Sequence, residues 1–488
     1  EVINPDVPKP KIYDIPEGRE IAERLIVRGT TGDSLVQIDS ALDRVTWEIA
    51  NHLQEQKVLV VWLLDASGSL TEQRAAIVKR LDRIYGELGA LKNEELIPRL
   101  QQPLLSAVVA YGERTHFLTP EPTNKFELIR EAIEKVPVDP SGKENVFSAI
   151  GQSVDRWSEY RARFGRRIML IVVTDETGDD FAAHAPAISL CRRYGAISYV
   201  IGPHAVFGRQ KGFVPYVAPE NGKTYNLPVD LGPETPTFDN VEIPFWYDGP
   251  QYKYLSSGFG PYALTRLVTE TGGIYFSTHM TTMKGFSPEG MFEAEKLKPF
   301  EPDYRFGTPD EYLKDLEKHP LRMAVIKAAQ ISRNVEPEGT PEMELRVTPA
   351  GFKNQAKEAQ KTVAKSGYFL NRILSAFPNG IEKALDSEPS PRWRMTFCLA
   401  YGRLLGQRAR CLEYNLALAD LSNSLTPQDV GSKSNHWIFR PDKQLNYATS
   451  EKRNAELAEK LLRQVLEEAP GTPWAKLAER ELRHPFGI

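Results

Sequence analysis

Cysteine is scarce in this chain. Cys191, Cys398 and Cys411 are the three present, none lies in a Cys-x-x-Cys pair, and no disulfide framework can be built from them. An excess of one charge is missing too: 61 Lys and Arg face 65 Asp and Glu, a net charge of −4. No basic field therefore recruits nucleic acid or anionic lipid. Long hydrophobic runs are absent. Val58 to Leu64 and Ile168 to Val173 are the longest, far short of the ~20 residues that span a bilayer. No His-Glu-x-x-His, Gly-x-Ser-x-Gly or phosphate-binding Gly-x-x-x-x-Gly-Lys occurs, and His116, His184, His204 and His279 are scattered. Disorder is excluded by a hydrophobic content of 41% with 10% aromatics.

What is present reads as a two-part chain. A length of 488 residues fits about three domains, or two with large insertions. Residues 1–55 read as a proline-bearing extended arm followed by a helix starting at Asp39 or Ser40, with Leu42, Val45, Ile49 and Leu53 on one face. From 56 to 285 strands alternate with helices. The buried runs 58–64, 104–111, 167–174 and 196–201 are separated by helical patterns, and a short strand near 115–118 pairs back on the second run. This predicts an α/β fold, a doubly wound, mostly parallel sheet with helices on both faces. Residues 202–258, rich in Pro, Gly and aromatics, form an insertion of irregular or β-rich structure. Beyond residue 300 the strand signals stop. Helical patterns over 309–330, 352–386, 391–421 and 450–483 predict a C-terminal all-α domain, with 422–449 as a long loop. Thr472 and Pro473 suit the N-cap and first position of the final helix.

The chemistry gathers at Asp65-Ala-Ser-Gly-Ser69, at the C-terminal end of the first buried strand, the edge where such sheets bind ligands. A carboxylate and two hydroxyls two residues apart on a tight loop can converge on one hard cation. Asp175 ends the other long apolar strand. If the two strands are neighbours, Asp65 and Asp175 reach the same ion.

These segments resemble the von Willebrand factor A domain and its metal-ion-dependent adhesion site. Asp65, Ser67 and Ser69 match the Asp-x-Ser-x-Ser element, Thr174-Asp175 matches the third loop, and Thr271-Gly-Gly-Ile-Tyr275 matches the glycines before the last strand. The resemblance covers about residues 56–280. It implies a bound divalent cation, Mg²⁺ with Mn²⁺ or Ca²⁺ as alternatives, whose last ligand is usually an acidic side chain from a protein partner. The second loop departs from the pattern. Counting back from Ala149 puts Glu144 where the family has threonine, with Asn145 as the neighbouring alternative. As a ligand, Glu144 makes three carboxylates, over-neutralises the ion and leaves a site completed by the chain itself, or a structural one. As a cap, it serves only the helix beginning near Asn145. Asp179 and Asp180 read as a solvated turn and N-cap rather than as ligands.

The expected function is a non-enzymatic, metal-dependent module for adhesion or assembly, engaging a protein partner and not nucleic acid. In the insertion, Phe245, Trp246 and Tyr247, with Tyr252 and Tyr254, are candidate partner anchors; packing of the insertion onto its own domain is the competing reading. Two alternatives stand beside this: a structural cell-envelope component with a structural metal, and a metal-dependent hydrolase. Glu1 in place of Met fits a processed or trimmed chain. Signal removal and export to the periplasm or cell surface is the matching expectation. The last helices resemble a tetratricopeptide-like pair without a second copy. The wording Gly-Thr-Pro-Trp-Ala-x-Leu-Ala resembles C-terminal tails of planctomycete proteins, which suggests a bacterial source and no function.

Overall fold

The computed structural model describes residues 34–35, 38–88, 102–217, 222–243, 247, 252, 254–278, 292–333, 341–432 and 434–488. They divide into two compact units. The first comprises residues up to 236, with 254–294 and 302–309. The second comprises 237–253, 295–301 and 310–488.

The first unit is built on β1 (Ser34–Leu35), β2 (Val58–Asp65), β3 (Leu104–Tyr111), β4 (Thr115–Phe117), β5 (Arg167–Val173), β6 (Ile197–Gly202) and β9 (Tyr275–Thr278). Their order is β1-β9-β6-β5-β2-β3-β4, and every pairing is parallel except the β3–β4 hairpin. Strand β2 lies inside the sheet between β5 and β3 and is buried along all of its length. Its side chains alternate between two cores, as the pleat requires. Val58, Val60, Trp62 and Leu64 pack with α1 (Ile38–Glu55), α2 (Thr71–Glu87) and α3 (Phe126–Glu134). Leu59, Val61 and Leu63 pack with α4 (Val146–Arg156), α5 (Ser158–Ala162), α6 (His184–Tyr194) and α7 (Tyr262–Thr271). A strand flanked on both faces has no polar side, which is why β2 and β5 read as unbroken apolar runs.

Several boundaries differ from expectation. Helix α1 starts at Ile38, ahead of the expected caps. Ala41, Leu42, Val45, Ile49 and Leu53 fill the first core, so α1 belongs to the α/β unit and does not precede it. The insertion contributes an antiparallel hairpin, β7 (Lys211–Val217) and β8 (Thr224–Asp230). Its later part, 237–253, belongs to the helical unit.

The second unit is mainly helical. Beyond α8 (Ala294–Leu297) come α9 (Pro309–Leu316) and α10 (Pro320–Arg333), an expected single helix divided near His319-Pro320. Then follow α11 (Phe352–Leu374), α12 (Pro391–Ser424), α13 (Pro427–Ser432), α14 (Lys452–Glu468) and α15 (Pro473–Leu482). The Thr472 hydroxyl caps α15, accepting from the Ala475 amide at 3.4 Å. Two short features accompany the helices. Strands β10 (Glu344–Arg346) and β11 (His436–Ile438) pair antiparallel, and the expected loop 422–449 carries α13 and β11. Three-residue strands with one inward side chain each are too short for a periodic signal. Among the described residues no helix is long and apolar enough to cross a membrane.

The core of this unit holds an ion network on α12. Arg403 and Arg410 share the carboxylate of Glu481 at 3.4 and 3.1 Å, and Gln407 donates to it at 2.8 Å. Arg410 also donates to the Glu481 and His484 carbonyls at 2.8 and 2.7 Å. The C-terminal segment is thereby tied to α12. Cys398 and Cys411 are buried and unpaired, as is Cys191 in the first unit.

Candidate metal centre

Three segments at the C-terminal rim of the sheet build the centre. The first follows β2. Asp65 lies on the α4 side of the sheet by the alternation of the strand, and is 1% exposed. Its Oδ1 accepts from the Ser67 amide at 2.7 Å, which turns the chain at once. Ser67 and Ser69 bring their hydroxyls within 2.9 Å of each other. Ser67 makes no side-chain cap to the helical turn that follows.

The second segment precedes α4 and carries Glu144, which is 7% exposed. The third follows β5 and carries Asp175. Because β2 and β5 are parallel neighbours in register, with Leu64 opposite Val173, the residues after them emerge side by side. One carboxylate oxygen each from Asp65, Glu144 and Asp175 lie within 4.8 Å of one another. Asp65 and Asp175 thus meet as expected, and Glu144 joins them. Asn145, the alternative at this position, turns elsewhere, donating its side-chain amide to the Glu113 carbonyl at 2.9 Å.

The cap reading of Glu144 is corrected. Asn145 makes no side-chain cap to α4. The cap comes from across the rim: Asp180 accepts from the Phe147 and Ser148 amides at 3.1 and 2.6 Å. Asp179 accepts from the Glu144 amide at 2.8 Å and returns its own amide to the Glu144 carbonyl at 2.8 Å. The two aspartates accept from these amides and so lock the second loop to the third. The crossing is close at Gly178, whose φ of 86° is left-handed and where a Cβ would lie 2.4 Å from Val146 Cγ1.

The sequence reading missed Arg74. This buried guanidinium on α2 donates to the carbonyls of Asp65 and Ser67 at 2.7 and 2.9 Å and attracts the carboxylates of Asp65 and Asp175. Its signal was available only as one basic residue on the helix after the motif. Thr174, fully buried, reaches Glu144 Oε2 at 3.5 Å. Beneath them Tyr111 donates to the Val173 carbonyl at 2.9 Å.

Electrostatically the centre is strained toward protons or cations. Burial pushes the Glu144 carboxyl up to about 11, with the charges of Asp65 and Asp175 adding to it. Burial, then Asp65, raises Asp175 to about 6, although a hydrogen bond with Ser69 opposes this. Asp65 is raised by burial too, with Glu144, Ser67 and Arg74 pulling the other way. Glu176, next along, rises to about 7 through burial and the neighbouring carboxylates. With all three carboxyls ionised, Asp65 Oδ2 and Asp175 Oδ1 are buried with no donor facing them; without a cation, the protonated Glu144 carboxyl serves as donor to Asp65. Buried oxygens left unpaired cost free energy, and a divalent cation held by hard oxygen donors removes that cost. The donor set fits such an ion.

The aromatic anchors fare differently. Phe245 and Trp246 lie outside the described residues. Tyr247 packs within the helical unit, its ring 4.1 Å from that of His484 and 5.5 Å from the Arg410 guanidinium. Tyr252 lies 5.7 Å from the Arg480 guanidinium in the same unit. Tyr254 is buried with Val206 and Leu231 in the first. The rings with described positions therefore serve packing.

No protein-family model matches the chain, and no curated protein does. Solved structures similar to it include an aerotolerance-related membrane protein from Bacteroides fragilis. That likeness has 13% identity, covers 46% of this chain and 92% of that one, and has a TM-score of 0.28. The VWA domain of SpRpn10 is similar at 10% identity over 30% of this chain and 75% of that one, TM-score 0.23. Proximal thread matrix protein 1 from the mussel byssus, with a zinc-occupied MIDAS motif, is similar at 16% identity. It covers 34% of this chain and 42% of its own, with a TM-score of 0.23. None of these likenesses assigns a role to a residue of this chain.

Proposed function

We propose that the first unit is a von Willebrand factor A-type binding module, not an enzyme. A divalent cation at Asp65, Ser67, Ser69, Glu144 and Asp175 orders the rim against which a protein partner docks. The carrying observation is the convergence of three carboxylates from separate segments, two of them with a buried oxygen that no donor faces when all three are ionised. All-oxygen donors favour Mg²⁺, with Mn²⁺ and Ca²⁺ as substitutes. The helical unit supplies a scaffold or a second surface. The partner is a protein, engaged in adhesion or assembly.

A second reading has the ion serve stability alone, as in a structural component of a cell envelope; the burial of Asp65 favours it. One experiment separates the two. Wild-type protein and Asp65→Ala are used for affinity capture from native lysate with Mg²⁺ or with EDTA, and their melting is compared. Capture that needs both Mg²⁺ and Asp65, at little cost in melting temperature, supports the module. A large fall in melting temperature with no metal-dependent capture supports the structural role. Wild-type protein that takes up no divalent cation by calorimetry refutes both.

A further inference from the structure

We infer that Glu144 closes the cation site from within the chain, and that Arg74 supplies the charge that makes this arrangement tolerable. The inference rests on the cation reading above and asks what that ion can still do.

The main chain at Glu144 is held fast and its side chain is buried. Its amide and carbonyl are both tied to Asp179, at 2.8 Å each, and Asp179 belongs to the same loop as Asp175. Second and third loops are therefore one frame, fixed again by Asp180 on the first turn of α4. The frame aims Glu144 at Asp65 and Asp175, and its other plausible duty, capping α4, is already filled. A carboxylate buried beside two others is costly unless a cation shares it.

Three carboxylates against one divalent ion would leave a net negative charge. The buried Arg74 guanidinium is held in place by the backbone carbonyls of Asp65 and Ser67. Three carboxylates, one guanidinium and one divalent ion are together neutral. The over-neutralised ion expected from the sequence is thus balanced by a residue of the neighbouring helix. A neutral, internally ligated ion has little pull on an external carboxylate. The ion then acts by holding the three loops together, and a partner reads the rim they form, not the metal.

Mn²⁺ serves as the probe, followed by water-proton relaxation and by calorimetry on the full chain. Wild-type protein is compared with Glu144→Thr and with the isosteric Glu144→Gln, which guards against misfolding. The expected result is that both variants bind Mn²⁺ about 10- to 100-fold more weakly, since ligand charge sets affinity. In Glu144→Gln the amide oxygen can still ligate, so charge alone is lost; in Glu144→Thr the shorter side chain leaves at least one more exchangeable water on the ion. Added acetate displaces that water in Glu144→Thr and leaves wild-type relaxation unchanged. Equal affinity and equal hydration in all three proteins would overturn the inference while leaving the cation site intact. Absence of Mn²⁺ uptake by the wild type would overturn the site itself, and the inference with it.

Discussion

Stripping the ion should turn Glu144 into a pH-dependent liability that the isosteric amide lacks. In the ion-free protein burial holds its proton up to about 11, against an ordinary 4.5. The folded chain therefore keeps a proton that the unfolded chain releases above pH 4.5, so stability falls as pH rises through that window. The slope is about 1.4 kcal/mol per pH unit for one proton, or about 2.7 kcal/mol between pH 5 and pH 7. Asp175, raised to about 6, and Glu176, raised to about 7, lose stability with rising pH in the same sense. Both are present in Glu144→Gln and cancel in the comparison. The wild type in chelator should thus lose about 2.7 kcal/mol more than Glu144→Gln over this range, a difference of roughly 5–10 °C in melting temperature for a unit of this size. Mg²⁺ at about 100 times its dissociation constant should return about 2.7 kcal/mol to the wild type. Scanning calorimetry at pH 5, 6 and 7, with chelator and with Mg²⁺, reads these values. Parallel pH slopes for the two chelated proteins would refute the reasoning, because Glu144 would then carry no excess proton.

Other substitutions probe the frame and the helical unit. Gly178→Ala forces a side chain onto a left-handed φ of 86° with Cβ 2.4 Å from Val146 Cγ1; a cost of roughly 1–3 kcal/mol is expected in urea unfolding, with weaker Mg²⁺ uptake. Asp180→Ala leaves the Phe147 and Ser148 amides uncapped, which should cost about 1 kcal/mol by the same measurement. Glu481→Gln leaves two buried guanidinium groups sharing one amide. A loss of about 3–5 kcal/mol should follow, read in the calorimetric transition of the helical unit, with Mg²⁺ affinity unchanged.

Short-range pattern carried much of this protein. Unbroken apolar runs at 58–64 and 168–173 specify strands buried on both faces, because a parallel sheet covered by helices leaves no polar side. Asp65, Ser67 and Ser69 were legible because two-residue spacing on a loop after such a strand is itself the geometry of convergence. Tertiary structure decided what depends on neighbours in space. That Asp180 caps a helix more than thirty residues before it, or that Arg74 offsets a third carboxylate, has no periodicity to announce it. Strand β1 joins the sheet edge beside β9 through two residues, and 237–253 leave the α/β unit for the helical one. Such pairings are chosen by which surfaces remain to be covered once the layers have formed. Local propensity sets the pieces, whereas burial of the remaining polar and apolar groups sets their partners.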